Sequence, residues 1–117
     1  MSVKTTGAEY KAYLNDTDPQ FWPEGAWMDD EVLLVNGKEV GEDNFDFDYM
    51  KLNDADSVIL ECGSYYKSVA DRDPIELVTH FKRWRKAQTT AYISVSVDKT
   101  RIDELKAMLK TFGAKIA

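Results

Sequence analysis

The sequence predicts an α+β fold: a mostly antiparallel sheet of about four to five strands, two amphipathic helices on one face, and a short N-terminal helix. Three observations carry this. Asn36-Gly37 lies between two apolar runs, and a type I′ hairpin turn needs φ > 0 at both its central residues. "SVILECGSYY", from Ser57 to Tyr66, is β-branched and aromatic, as a well-packed strand is. From Asp73 to Gly113 the apolar period reads as helix, strand, helix. The 117 residues form a single predicted domain, 1–117, long enough to bury a core without staples.

Each element has a local reason. Thr6, with Glu9 three residues on, fits a capping box, and Tyr10, Tyr13 and Leu14 follow at helical spacing. Asp18-Pro19 breaks that helix. "FWPEGAW", Phe21 to Trp27, is a Pro/Gly loop with three large aromatic residues. It is expected to plug an open end of the core, and its alternative use is a tryptophan-centred protein-binding spot. Val32–Val35 is expected to pair with a strand around Lys38–Val40. "FDFDYM", Phe45 to Met50, alternates and reads as a further strand or extended edge. Gly63 suggests a bulge in the strand from Ser57.

Asp73 as N-cap, Pro74 at N1 and Glu76 at N3 predict a helix over 74–86. Its apolar arc is Leu77, Val78, Phe81 and Trp84. "TAYISVSVD", residues 90–98, puts Ala91, Ile93, Val95 and Val97 on one face and predicts a half-buried strand. Thr100 and Asp103 open a last helix with the stripe Ile102, Leu105, Met108, Leu109 and Phe112, closed by Gly113.

Net charge is −6, but its distribution is uneven. Residues 1–73 carry 17 carboxylates against 6 cations, and residues 74–117 carry 4 against 9. The two halves either neutralise each other within the fold or are available to partners. Cys62 is the only cysteine, which excludes an internal disulfide. It shares parity with Val58 and Leu60 and is expected to be a buried thiol. The first eleven residues hold no apolar leader core, and no run approaches the roughly 18 apolar residues of a membrane span. The expectation is a soluble cytoplasmic protein with no membrane partner.

Candidate function starts from the acidic stretch. From Asp29 to Asp56 there are ten carboxylates against Lys38 and Lys51. On a strand, Asp46 and Asp48 would lie on one side, roughly 6.8 Å apart. The plain reading is an edge strand whose charges resist aberrant pairing. The functional reading is a nucleic-acid mimic, with spaced carboxylates standing in for phosphates. The expected partner-binding residues are Asp43, Asp46, Asp48, Asp54 and Asp56, with Trp22 and Trp27 as apolar anchors. The expected partner is a basic, nucleic-acid-binding protein, and the chain permits a homodimer. Small size, an acidic surface and no catalytic motif are similar in texture to phage-type anti-defence inhibitors, such as anti-CRISPR or anti-restriction proteins.

Two other classes remain in view. Lys82, Arg83, Arg85 and Lys86 around Trp84 suggest a nucleic-acid-binding helix, or else a solvated face whose cations suit a helix C-terminus. His80, the lone histidine, suggests a small enzyme, or else a boundary residue of its helix. No G-x-S-x-G, H-E-x-x-H, P-loop or G-x-G-x-x-G motif is present, so no catalytic residue is assigned. Glu42, Asp43, Asp46 and Asp48 lack the order and glycine of a calcium-binding loop, so no metal or cofactor is expected. "VLLVNGKEV" and "LNDADSVIL" together resemble the ubiquitin-like sulfur carriers, in which such a turn and strand flank a hairpin. Those carriers end in Gly-Gly and this chain ends "GAKIA", so the resemblance implies a local hairpin and no carrier function.

Overall fold

The computed structural model describes residues 1–41, 48–90 and 93–115. Its elements in chain order are β1 (Val3–Thr6), α1 (Gly7–Leu14), β2 (Trp27–Val35), β3 (Lys38–Gly41), β4 (Ser57–Tyr66), β5 (Ile75–Glu76), α2 (Leu77–Thr89) and α3 (Ile102–Phe112). Short 3-10 turns occur at Tyr49–Lys51 and Lys99–Arg101. The α+β class is as the sequence predicts. The strands form one antiparallel sheet in the order β1-β4-β2-β3, and β5 pairs with the far end of β4.

The hairpin forms where Asn36-Gly37 places it. Asn36 has φ 50° and Gly37 φ 85°, and Val35 pairs with Lys38. β2 is longer than expected. It starts at Trp27, which pairs with Tyr66, so the last residue of the aromatic loop already belongs to the strand. An irregularity between Asp29 and Val32, with Asp30 at φ 57°, bends it. Gly63 lies across from this bend at φ 146°. A Cβ there would stand 2.9 Å from Leu77 Cδ2 and 3.1 Å from Glu31 Cα, so two elements close on a bare backbone.

Thr6 caps α1 by accepting from the Glu9 amide at 3.2 Å. The reciprocal half of the capping box is replaced. The Glu9 carboxylate instead binds Thr5 Oγ1 at 2.6 Å and Arg85 on α2 at 2.6 Å. α1 and α2 pack on the same side of the sheet, around Tyr10, Tyr13, Leu33, Val58, Leu60, Leu77, Val78, Phe81 and Trp84. The first turn of the predicted helix 74–86 is absent. Ile75 and Glu76 pair with Tyr65 and Ser64, and α2 begins at Leu77 without a side-chain cap. Two ladder positions on β4 outweigh one capping contact, which is the physical reason the cap signal failed.

The largest departure lies at the C-terminal end. Ile93–Asp98 form no strand, and every one of them is exposed; Tyr92 and Ala91 lie outside the described residues. Alternation supplies a face but not a neighbour, and a strand needs both. α3 forms with its predicted stripe and with Gly113 at φ 95° closing it. No residue of α3 is buried, and Met108 and Phe112 are 69% and 88% exposed. The two helices on the sheet are therefore α1 and α2. The first half of the predicted edge strand Phe45–Met50, residues 45–47, falls outside the described residues. Its end, Tyr49–Met50, belongs to a 3-10 turn that Asp48 caps by accepting from the Met50 amide.

Candidate partner-binding surfaces

β2 holds acidic residues apart along its length. At one end, Asp29 and Asp30 are exposed at the bend, with Glu61 and Glu76 on the neighbouring strands. At the other end, Asp56 is tied to the hairpin. It accepts from Asn36 Nδ2 at 3.0 Å and from the Asn53 amide at 2.8 Å. These hydrogen bonds hold the Asp56 carboxyl below its ordinary pKa. Asp54 is beside it and pairs with Lys11 at 2.8 Å. Six residues of strand separate Asp29 from Val35, roughly 20 Å. Asp54 and Asp56 thus sit together, with Asp29 and Asp30 at a distance. Asp43 and Asp46 lie outside the described residues.

The charge halves do not neutralise each other through contacts. Among the described residues there are three ion pairs, and one of them, Glu9–Arg85, joins the acidic half to the basic half. Partial burial opposes ionisation of Glu9, but hydrogen bonds from Arg85 and Thr5 lower its pKa overall. Asp29, Asp30, Glu39 and Asp48 are exposed and are in none of these pairs.

The tryptophans separate by role. Trp22 is a core plug. Its ring packs on Tyr13, Tyr65 and His80, and its Nε1 donates to the Tyr13 carbonyl at 2.8 Å. Trp27 is 39% exposed and stacks on Tyr66 with centroids 3.9 Å apart. An exposed, rigid aromatic pair at the sheet end is the kind of feature that anchors a partner.

The basic helix also divides. Arg85 is half-buried and structural: it binds Glu9, donates to the Lys4 carbonyl at 2.7 Å, and covers the Phe81 ring at 4.8 Å. Arg83 and Lys86 instead border an open groove of about 780 Å³. Lys67, Gln20, Asp71 and the aromatic groups of Phe21 and Tyr65 complete much of it. Lys82 is exposed beside Met1. Lys67 was not identified from the sequence, because only the fold brings β4 alongside α2.

His80 is a core residue, 4% exposed. Nδ1 accepts from the Tyr13 hydroxyl at 2.6 Å, and Nε2 donates to the Phe21 carbonyl at 3.0 Å. Tyr65 stacks on the ring at 3.6 Å and donates to the same carbonyl at 2.6 Å. Burial lowers its pKa to about 4, so the imidazole is neutral near pH 7. Both nitrogens are engaged, and no carboxylate contacts the ring in the described residues. This arrangement fixes α2 to the Phe21 loop and leaves no nitrogen available for proton transfer.

Cys62 differs from expectation. It is exposed, because the β2–β4 register shifts between the pairs Leu33–Leu60 and Val32–Cys62, which breaks the inward parity before Cys62 is reached; Leu60 and then Tyr65 face the core. No thiolate–imidazolium pair with His80 forms, since His80 is closed off among aromatic rings. Among the described residues no group of three or more His, Cys, Asp or Glu is placed to hold a metal ion. No helix among them is long and apolar enough to cross a membrane. No family model, curated protein or solved structure matches the chain.

Proposed function

We propose that this is a protein-binding protein that presents its acidic body to a basic, nucleic-acid-binding surface and inhibits by occupying it. The observation that carries this reading is the unspent charge. Residues 1–73 carry 17 carboxylates against 6 cations, and a single ion pair connects them with the basic half among the described residues. A field of that sign draws in cationic grooves and repels nucleic acid. Asp29, Asp30, Glu39, Asp48 and Asp54 are exposed contributors on described backbone, with Asp43 and Asp46 from the sequence alone. Trp27 stacked on Tyr66 would supply the apolar anchor. Asp56 is left out of the contact set, because its oxygens are committed to Asn36 and Asn53.

The test is capture of partners from nuclease-treated bacterial lysate by the wild-type chain and by a variant carrying Asp30→Asn, Glu39→Gln, Asp48→Asn and Asp54→Asn. Asparagine keeps the cap at position 48 and tolerates the positive φ at position 30. A basic protein held by wild type, released by salt and lost from the variant is the expected result. Equal capture by both chains would remove the mimic reading.

A second reading draws on the groove beside α2. Lys67, Arg83 and Lys86 suit a phosphate backbone, although Asp71 and Asp73 share the same groove. Arg83→Glu with Lys86→Glu should then abolish salt-sensitive retention of single-stranded DNA or RNA. Absence of retention by the wild-type chain would dismiss this alternative.

A further inference from the structure

Among the described residues, α3 carries an apolar stripe with no strand or helix of the body packed on it, and the sheet carries an apolar strip on the face away from α1 and α2. The first is Ile102, Leu105, Met108, Leu109 and Phe112, spaced to share one side of the helix. The second follows from the register. Lys4, Ile59, Leu34 and Glu39 are direct neighbours across β1, β4, β2 and β3. Leu33 and Leu60 point into the core, so Leu34 and Ile59, one position away, point to the opposite face, together with Val32. All three are half-buried and none packs against the core cluster. α1 and α2 occupy the other face.

The two surfaces have comparable span, with the sheet row apolar at its two central positions, Ile59 and Leu34, and charged at its ends, Lys4 and Glu39. α3 has 11 residues and is about 16 Å long. Four strands at about 4.8 Å spacing span about 14 Å between the outer two. They also match in charge. Residues 90–117 carry 5 cations against 3 carboxylates, and residues 1–89 carry 18 carboxylates against 10 cations. Lys106 and Lys110 line one edge of the helix stripe and Glu104 the other, while Glu39 and Lys4 end the row on the sheet, so the edges can pair with opposite signs.

We propose that α3 docks on the outer sheet face of a second copy of this chain, reciprocally, so that the protein is a dimer with exchanged C-terminal arms. The chain carries α3 outward on the exposed segment Ile93–Asp98. The radius of gyration is 18.7 Å, whereas a compact chain of this length has about 13 Å. Reciprocal exchange covers both apolar surfaces of both copies and closes with two-fold symmetry, so assembly stops at two. This inference does not rest on the acidic-body reading, and it can fail or succeed separately from it.

The experiment mixes two single-thiol chains under oxidising conditions. One carries Leu34→Cys with Cys62→Ser, and the other carries Met108→Cys with Cys62→Ser. Each chain has one thiol, so the mixed disulfide can form only between copies. The expected result is a product at twice 13.4 kDa in the mixture, in clear excess over either chain alone. Light scattering should give the same doubled mass for wild type and single mass for Met108→Asp, with the circular dichroism of the body kept. Single mass for wild type at high micromolar concentration, or a dimer unaffected by Met108→Asp, would overturn the proposal. So would a Leu34→Cys, Met108→Cys, Cys62→Ser chain that closes its disulfide at single mass, since the helix would then lie on its own sheet.

Discussion

Two tyrosines one turn apart on α1 show how far a hydroxyl's value depends on its surroundings. Tyr13 is fully buried and donates to His80 Nδ1. Tyr10 is equally buried, and its hydroxyl has no hydrogen-bond partner among the described residues. Tyr13→Phe strands a buried acceptor and should cost about 2 kcal/mol, whereas Tyr10→Phe removes an unpaired group and should be neutral or stabilising. Urea titration of both variants reads the difference; equal losses would contradict the assigned partners. His80 adds a pH dependence. Its pKa is about 4 in the fold against an ordinary 6.5, so between these values the unfolded chain binds a proton that the folded chain refuses. Its contribution is complete above pH 6.5 and is lost as pH falls toward 4. Wild type should therefore lose stability across that window, and His80→Gln should show a shallower slope. Parallel slopes would mean that other groups govern the acid response.

Among the elements, the close approach of β2, β4 and α2 at Gly63 combines tight contacts with a positive φ. An alanine would meet Leu77 and the Glu31 backbone and would hold φ 146°, where side chains are strained. Gly63→Ala should cost about 3 kcal/mol, whereas Gly37→Ala meets no atom within 4 Å and pays only for its φ of 85°. Chemical denaturation of the two variants checks the ranking. The same region explains which element signals were readable. Asn36-Gly37, the Ser57–Tyr66 strand, the Thr6 cap and the Gly113 stop are local chemistry, and each is where the sequence puts it. The helix start at Asp73 is also a clean local signal, but it lost to pairing with β4, which no local window contains.

The whole molecule is a packed body with an exposed arm. Backbone amides at the centre of β2 and β4, such as Leu33 and Leu60, should be the slowest to exchange with solvent. Those of Ile93–Val97 should exchange at once, because they lie outside every ladder. Hydrogen-exchange mass spectrometry checks this, and slow exchange at 93–97 would show that the alternating segment does find a strand. Charge at this scale was legible from the sequence as a sum but not as an arrangement. The count gave the sign of each half; the fold alone shows Asp54 and Asp56 together at one end of β2, Asp29 and Asp30 at the other, and Arg85 half-buried against Glu9 and Phe81.

The sequence by itself determined the α+β class, the hairpin turn, the principal strand, the apolar faces of α2 and α3, and the uneven charge, because each depends on neighbours within a few residues. Tertiary structure decided the rest. It made His80 a core residue held by Tyr13 and Phe21, turned Cys62 outward at the register shift beside Glu61, divided the basic helix into one half-buried, paired cation and three exposed ones, and left α3 without a buried residue. The physical reason is the same in each case. Periodicity says which side of an element is apolar, but burial requires a second surface, and only the folded chain determines which surface is there.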